Sequence, residues 1–332
     1  MLRLRRSLSE MKEIIRSLGA VSELWLDPQH PLREETIQAL QVSTGLSRRQ
    51  IELALINCFE ELTTAKITSY IASFEQVERN NVREISTCSK EATQCVFHVL
   101  PSNAFTAWVH GATITLLFGF RCLLKPSRRE PVFARAWKKS LEQVDSRLAR
   151  RVEIIDEADP WLRKSPVVVA YGSDETLLKI RSMVPAGVRF AGFGHKLSVG
   201  IIFQEALNEG LSDELLERVR EDAEPFRLQG CLSPQILYIE SASPLRWPAL
   251  EASLDVAPKI KTFTEWEILR PELAKFSPYL SCVGYAGGVD KEPFLEHELR
   301  DLNISRVCPL GRMQRPPLSW KNGGIFLPDL LH

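Results

Sequence analysis

The chain of 332 residues has no excess of charge of either sign: Lys plus Arg and Asp plus Glu each number 42, so the net charge is zero. No global basic field gathers nucleic acid, and no acidic tail repels it. The local cluster Arg3, Arg5 and Arg6 reads as a solvated terminus. Paired cysteines are also missing. The seven present (Cys58, Cys88, Cys95, Cys122, Cys231, Cys282, Cys308) are odd in number and scattered, with no C-x-x-C. That argues against a disulfide framework and a metal site, and for a reduced, cytoplasmic setting. The longest apolar run, 111–120, is about half the ~20 residues that a bilayer span needs. The N-terminal stretch meets Ser, Glu and Lys before any apolar run, so it lacks a secretory core. There is no internal repeat, low-complexity segment, Walker loop or G-x-G-x-x-G. What remains is a soluble composition, 44% hydrophobic and 25% charged, long enough for one large or two medium domains.

Up to about residue 85 the pattern is helical, with helices expected at 10–18, 31–42 and 47–73. Ile51, Leu55, Phe59 and Leu62 recur at three- and four-residue spacing behind Ser47 as N-cap. This region offers no catalytic chemistry and reads as packing. From Cys95 onward short apolar runs alternate with helical stretches. Strands are expected at 95–100, 121–125, 152–156, 167–171, 188–193, 198–203 and 235–240. The intervening helices are expected at 106–118, 131–148, 174–183 and 212–221, with later ones at 248–254 and 292–302. Such alternation predicts an α/β fold, a parallel Rossmann-type sheet with crossover helices, whose ligands collect at the carboxyl ends of strands.

Four stretches at strand ends carry candidate chemistry. Cys231, in Gln229-Gly230-Cys231-Leu232-Ser233-Pro234, lies in a turn before a buried strand. It reads either as an approachable thiol or as one of the buried structural cysteines common in cores. Asn103, in Pro101-Ser102-Asn103-Ala104, is either an ordinary turn residue or an amide donor aimed at a developing oxyanion. The cationic loop Lys125-Pro126-Ser127-Arg128-Arg129 is either a solvated turn or a holder of ribose and phosphate oxygens. The strand-to-helix turn at Gly172-Ser173 can present a helix N-terminus to a pyrophosphate, although the motif alone is weak.

Taken in order, these pieces resemble the aldehyde dehydrogenase superfamily. More closely, they resemble its acyl-CoA reductase branch, the LuxC-like fatty-acyl reductases that make aldehyde for bacterial luminescence. The resemblance runs from about Pro31 to the C-terminus and is carried by Lys-Pro-Ser at 125–127, AYGSDET at 170–176, FGHKLS at 193–198 and QGCLSPQ at 229–235. Asn103 precedes Lys125 by 22 positions, close to the family interval. The N-terminus is shorter than in long relatives, which implies that an early segment is missing. The resemblance implies a helical segment at 1–85, a cofactor domain at 86–204, a catalytic domain at 205–310 and a tail at 311–332. It implies Cys231 as the nucleophile that takes an acyl group from a thioester, and an oxyanion hole of Asn103 with the Cys231 backbone N–H. Lys125, Pro126, Ser127 and Arg128 would hold the adenosine ribose, and Gly172 and Ser173 the pyrophosphate. His195 would act as proton carrier to the thiol or leaving group, or else is a structural histidine at a strand end. The nicotinamide ribose has only Glu267 as a weak candidate.

Two departures sharpen the expectation. The general-base Glu of hydrolytic aldehyde dehydrogenases aligns with Gly192, which favours reduction of a thioester over hydrolysis of the acyl-enzyme. The acidic residue that follows Lys-Pro-x in many relatives is Arg128, which welcomes a 2′-phosphate and points to NADPH. The implied substrate is an acyl-CoA, fatty acyl in the luminescence relatives, or an acyl-carrier thioester. An acyl-protein synthetase is an implied partner, and a homo-oligomer is expected, with 325–331 apolar enough to cover a neighbour's sheet edge. Two other readings stand beside this one. One is a catalytically degenerate acyl-binding or scaffolding partner of an acyl synthetase or carrier protein; the other is a cysteine acyltransferase with no nicotinamide.

Overall fold

Apolar runs bounded by turn residues become strands covered on both faces. A computed structural model describes residues 8–80, 95–207, 212–241, 250 and 254–331. The arginine cluster at the N-terminus, Cys88 and most of the expected helix at 248–254 lie outside the described residues. Strands β1 (Cys95–Val99), β2 (Arg121–Lys125), β3 (Val152–Ile154), β4 (Val167–Tyr171) and β5 (Arg189–Phe193) form a parallel sheet ordered β3-β2-β1-β4-β5. Val96, Leu124, Val167 and Val169 feed the core on one face, while Phe97, Leu123 and Val168 feed the core on the other. Continuous apolar strands are what a doubly covered parallel sheet requires. The order turns back at β1, between β2 and β4, so a crevice opens where these strands end.

A second parallel sheet follows: β6 (Leu197–Ile202), β7 (Pro234–Glu240), β8 (Lys259–Phe263), β9 (Leu280–Ala286) and β10 (Arg306–Pro309), ordered β10-β9-β6-β7-β8. Sheet membership changes in the short link 194–196. A division at 204/205 leaves β6 with the first unit, yet β6 pairs with β7 and β9. An apolar run marks β6 as a strand without naming its neighbours, and β9 lies some 80 residues downstream.

The N-terminal helices α1 (Leu8–Leu26), α2 (Pro31–Thr44), α3 (Arg48–Phe59) and α4 (Thr64–Asn80) pack on the first sheet's α5 (Val109–Leu117) and α6 (Val132–Val144). Ser47 and Gln50 form a complete capping box on α3. The expected helix at 47–73 is two helices, broken by a 3-10 turn at Glu60–Leu62 and an extended Thr63. Here α1 passes so close that a Cβ on Gly19 would collide with Thr64. Trp25, Phe105, Trp108, Phe133 and Trp137 interlock edge to face at centroid distances of 5.0–6.1 Å. Leu327 and Leu331 are buried in this same core. The segment expected to cover a neighbour's sheet edge therefore packs on its own chain, where α5 and β5 offer an apolar face. Among the described residues no helix is long and apolar enough to cross a membrane, and no three or more His, Cys, Asp or Glu side chains are grouped as metal ligands would be.

Candidate active site

Four loops leave the carboxyl edge of the first sheet, and each carries a candidate residue. Asn103 follows β1, Lys125 ends β2 and leads into Pro126–Arg129, Gly172 and Ser173 follow β4, and His195 follows β5. Local hydrogen bonds shape these loops. Ser173 caps α7 (Asp174–Met183) by accepting from Thr176 N at 3.3 Å. Buried Glu130 accepts from Val132 N and Phe133 N at 2.9 and 2.8 Å, which fixes the exit of the cationic loop into α6. Ser127 Oγ accepts from Arg129 N at 3.2 Å, and Lys125 Nζ donates to Pro126 O at 3.0 Å. Gly172 leaves little room: a Cβ there would lie 3.1 Å from Thr176 Cγ2. Asp174 and Glu175 in the first turn of α7 place carboxylates where an anion would also be drawn.

Cys231 comes from the other side, in the loop before β7 at the amino edge of the second sheet. Phe226, Arg227 and Leu228 ahead of it are all left-handed, at φ 59°, 51° and 60°. That conformation costs non-glycine residues roughly 1–2 kcal/mol each, so the surroundings must impose it. Phe226 is buried edge-on against Phe105 at 5.5 Å. Gln235 Nε2 donates to Leu228 O and Gly230 O at 3.2 Å each, while its Oε1 accepts from Ser198 N at 2.7 Å. Ser198 Oγ donates to Cys231 O at 2.6 Å, and Gln314 Nε2 donates to Ser233 Oγ at 2.8 Å. Asn103 Nδ2 reaches across to donate to Gln229 O at 2.9 Å. An amide group carries two N–H donors, so one further N–H of Asn103 is left for a ligand.

Two cavities meet at this loop. The larger is a cleft of about 1190 Å³ over the carboxyl edge of the first sheet. Cys231, Asn103, His195, Lys125, Pro126, Ser127, Arg128, Gly172 and Ser173 all line it. Its charged lining is Lys125, Arg128, Arg129 and Lys196 against the single carboxylate of Asp174, a cationic patch in a chain of zero net charge. The second is a mostly apolar chamber of about 120 Å³, walled by α3, α5 and the tail. Cys231, Tyr171, Phe193, Asn322 and Ile325 border both. Glu267 does not line the cleft; it sits in the first turn of the helix Trp266–Ala274, against the second sheet.

Burial pushes the Cys231 thiol up to about 11, opposed by its own backbone N–H and by the charge of Lys196. The cation that bears on the sulfur is thus Lys196, held by a bond from Nζ to Pro278 O at 3.1 Å. The exposed His195 is anchored through its backbone N to Asp174 Oδ1 at 3.2 Å, and no hydrogen bond joins its ring to Cys231. Gly192 lines the cleft on β5, and a Cβ there would stand 2.9 Å from the Phe190 ring. Several residues at the site carried no sequence-level role: Tyr171, Lys196, Ser198 and Gln235 lie inside the motifs given above, whereas Gln314 and the tail at 316–327 carry no motif. Burial drives the Tyr171 hydroxyl far above its ordinary range, with Cys231 adding to the shift, so it stays protonated and able to donate.

A sequence model described as acyl-CoA reductase (LuxC) matches residues 8–265. No curated protein matches the chain. Solved structures are similar in fold at low identity. An oxidoreductase from Marinobacter aquaeolei superposes with a TM-score of 0.64 at 10% identity, over 94% of this chain and 79% of that one. A betaine aldehyde dehydrogenase from Staphylococcus aureus gives 0.64 at 10% identity, over 98% and 82%. Glyceraldehyde-3-phosphate dehydrogenase from Methanocaldococcus jannaschii gives 0.57 at 11% identity, over 90% and 80%. The two parallel sheets are thus an aldehyde dehydrogenase architecture, and the chain belongs to the acyl-CoA reductase (LuxC) family of oxidoreductases.

Proposed function

We propose that the protein reduces an acyl thioester to an aldehyde with NADPH, through an acyl-enzyme on Cys231. The observation that carries this reading is the position of Cys231 where a polar, cationic cleft meets an apolar chamber. One cavity suits a dinucleotide and the other an acyl group, and the sulfur belongs to both. The cleft exceeds the ~300–1,000 Å³ usual for small-molecule sites, and its four cations complement phosphates. Lys125, Ser127 and Arg128 would hold the adenosine end, with Arg128 free to meet a 2′-phosphate, and Gly172 and Ser173 would lie against the pyrophosphate. A structural neighbour carries NADP.

The chemistry of the chain's own residues follows. The thiol of Cys231 gives up its proton, helped by the charge of Lys196 and by His195 as carrier, and the sulfur attacks the thioester carbonyl carbon. Negative charge gathers on the carbonyl oxygen, where the free N–H of Asn103 and the Cys231 backbone N–H stabilise it. The carrier thiolate leaves and takes up the proton. A bound nicotinamide supplies hydride to the acyl carbon. With a proton added at oxygen, the thiohemiacetal on Cys231 expels the aldehyde and returns the thiol. Gly192 contributes no carboxylate to activate water, so the acyl-enzyme persists until it is reduced.

The test is intact-protein mass spectrometry after mixing with acyl-CoAs, with and without NADPH. Wild type should gain the acyl mass and lose it on adding NADPH, with aldehyde released, while Cys231→Ala gains nothing. An adduct that survives in Cys231→Ala, or no adduct at all, would overturn the proposal.

A further inference from the structure

The apolar chamber beside Cys231 is small, and its walls show what keeps it so. Room is made by short side chains: Ala54 of α3, Gly111 of α5 and Ala107 just before α5. Ile114 of α5 and Leu318, Trp320 and Leu327 of the tail stand around that room and leave about 120 Å³. A cavity of ~150 Å³ holds a benzene ring, so this one accommodates about five carbon atoms. A palmitoyl chain exceeds it about threefold. Burial stabilises an acyl chain only in proportion to the apolar area it removes from water. Carbons beyond those that the chamber holds therefore gain nothing from it.

The tail wall is fastened along its length. Gln314 Nε2 donates to Ser233 Oγ at 2.8 Å and to Asp222 O at 2.9 Å. Trp320 Nε1 donates to Ser305 Oγ at 3.2 Å, which ties the indole to the second sheet. The turn that follows is closed by Gly324 N on Lys321 O at 3.1 Å and Ile325 N on Asn322 O at 2.9 Å. Phe326 then packs 6.3 Å from Phe74 of α4, which meets Phe118 edge-on at 5.0 Å. Leu318, Leu327 and Leu331 are buried in the core of the N-terminal helices and the first sheet. A wall held at both sheets and by its own turn does not swing aside for a longer chain. Close-packed interiors resist added methylenes in the same way.

We propose that the tail gauges acyl length, so that the protein takes short acyl groups of about four to six carbons rather than fatty acyl chains. This rests on Cys231 as the acyl acceptor, and it specifies the acyl class which that reading leaves open. The experiment follows acylation by intact mass, without NADPH, for acetyl-, butanoyl-, hexanoyl-, octanoyl- and palmitoyl-CoA. In wild type the second-order rate should climb on the order of 100-fold from acetyl to hexanoyl, about fourfold per methylene buried, and climb no further beyond it. Leu318→Ala, which deepens the chamber at the tail wall, should raise the octanoyl-to-hexanoyl ratio about fourfold or more. Ala107 is exposed and lines both cavities, so Ala107→Leu should fill the chamber and cut the hexanoyl-to-acetyl ratio about tenfold. Should Leu318→Ala fail to fold, the wild-type series and Ala107→Leu decide. Palmitoyl-CoA faster than hexanoyl-CoA, acetyl-CoA as fast as hexanoyl-CoA, or a ratio unmoved in either folded variant would each overturn the proposal alone. No adduct from any thioester would instead remove the acyl-enzyme on which it rests.

Discussion

The loops on the two sides of the cleft are held by different means. Those that follow strands of the first sheet are tied locally: Ser173 to Thr176, Glu130 to Val132 and Phe133, Ser127 to Arg129, all within three residues. The Cys231 loop precedes its strand and is tied from a distance. Ser198 reaches it from 33 residues away, Gln314 from 81 and Asn103 from 126. Side chains that follow a strand at a topological switch point project into the crevice by default. A cysteine brought in from the opposing edge, behind three left-handed residues, needs a scaffold that the rest of the fold supplies. Local ties should therefore be dispensable one at a time, and distant ones should not.

The largest effect that sharpens this contrast is expected at Gln235, which joins the Leu228 and Gly230 carbonyls of the loop to Ser198, 37 residues away. Gln235→Leu would leave the Leu228 and Gly230 carbonyls and the Ser198 N–H without their partner and free the loop to relax. A displacement of about 1 Å at a nucleophile costs on the order of 100-fold, and unsatisfied buried groups cost about 1–3 kcal/mol each. Single-turnover acylation should fall about 100-fold and thermal stability should drop with it. Ser127→Ala, which removes a local tie, should change acylation by less than about threefold. Equal losses in the two variants would break the comparison.

The same contrast separates what could be read in the sequence from what could not. The strands at Arg121–Lys125 and Val167–Tyr171 and the helix Asp174–Met183 fall where apolar runs and the Ser173 cap place them, because local chemistry sets them. The motif around Cys231 was visible through its resemblance to a known family, whereas the long-range ties that hold its loop were not. Which sheet β6 joins was not, since its partners β7 and β9 are met only when the chain returns. Ser198 and Gln235 stood in quoted motifs with no assignable role, because a clasp is defined by the carbonyl it reaches. Helical periodicity ran straight through the break at Glu60–Leu62, which the crossing of α1 at Gly19 imposes from outside the segment. The tail's part in walling both cavities had no sequence signal beyond apolar residues around Gly323 and Gly324.

On the strand-following side, a cofactor contact should behave as a modular term. Arg128 is exposed and lines the cleft, so Arg128→Glu should leave acylation intact while shifting the kcat/KM ratio of NADPH to NADH by about 10-fold or more toward NADH, the worth of a charge-assisted hydrogen bond. A preference that does not move would remove Arg128 from the cofactor's 2′ site.

A smaller effect is expected at the sulfur itself. Burial raises the thiol from 9.0 to about 11, so the thiolate fraction grows about tenfold per pH unit and levels off above about 11. Iodoacetamide labelling of Cys231 should follow that curve. Lys196 lowers the thiol, so Lys196→Met should move the curve to higher pH and slow labelling a few-fold at any pH below the plateau. A His195→Asn variant that shifts the curve more than Lys196→Met does would return the electrostatic role to His195.

The smallest effect tests whether the chamber is separate from the cleft. Gly111 faces it from within α5, where an added Cβ would lie 3.3 Å from Tyr171 Oη, 3.4 Å from His98 Cε1 and 3.6 Å from a methyl of Leu327. In a helix interior alanine is favoured over glycine by about 0.8–1 kcal/mol, and the tight contact with Tyr171 takes back a similar amount, about 1 kcal/mol. Gly111→Ala should thus leave the melting temperature nearly unchanged. The methyl nevertheless occupies space that an acyl chain would use, in a chamber of only about 120 Å³. Acyl-CoA KM should rise about twofold, below the 1–3 kcal/mol that a methylene is worth in a closed pocket because this chamber opens on the cleft, while NADPH KM stays as it was. A matched rise in both constants would mean that the two cavities act as one, and the division of labour across Cys231 would have to be redrawn.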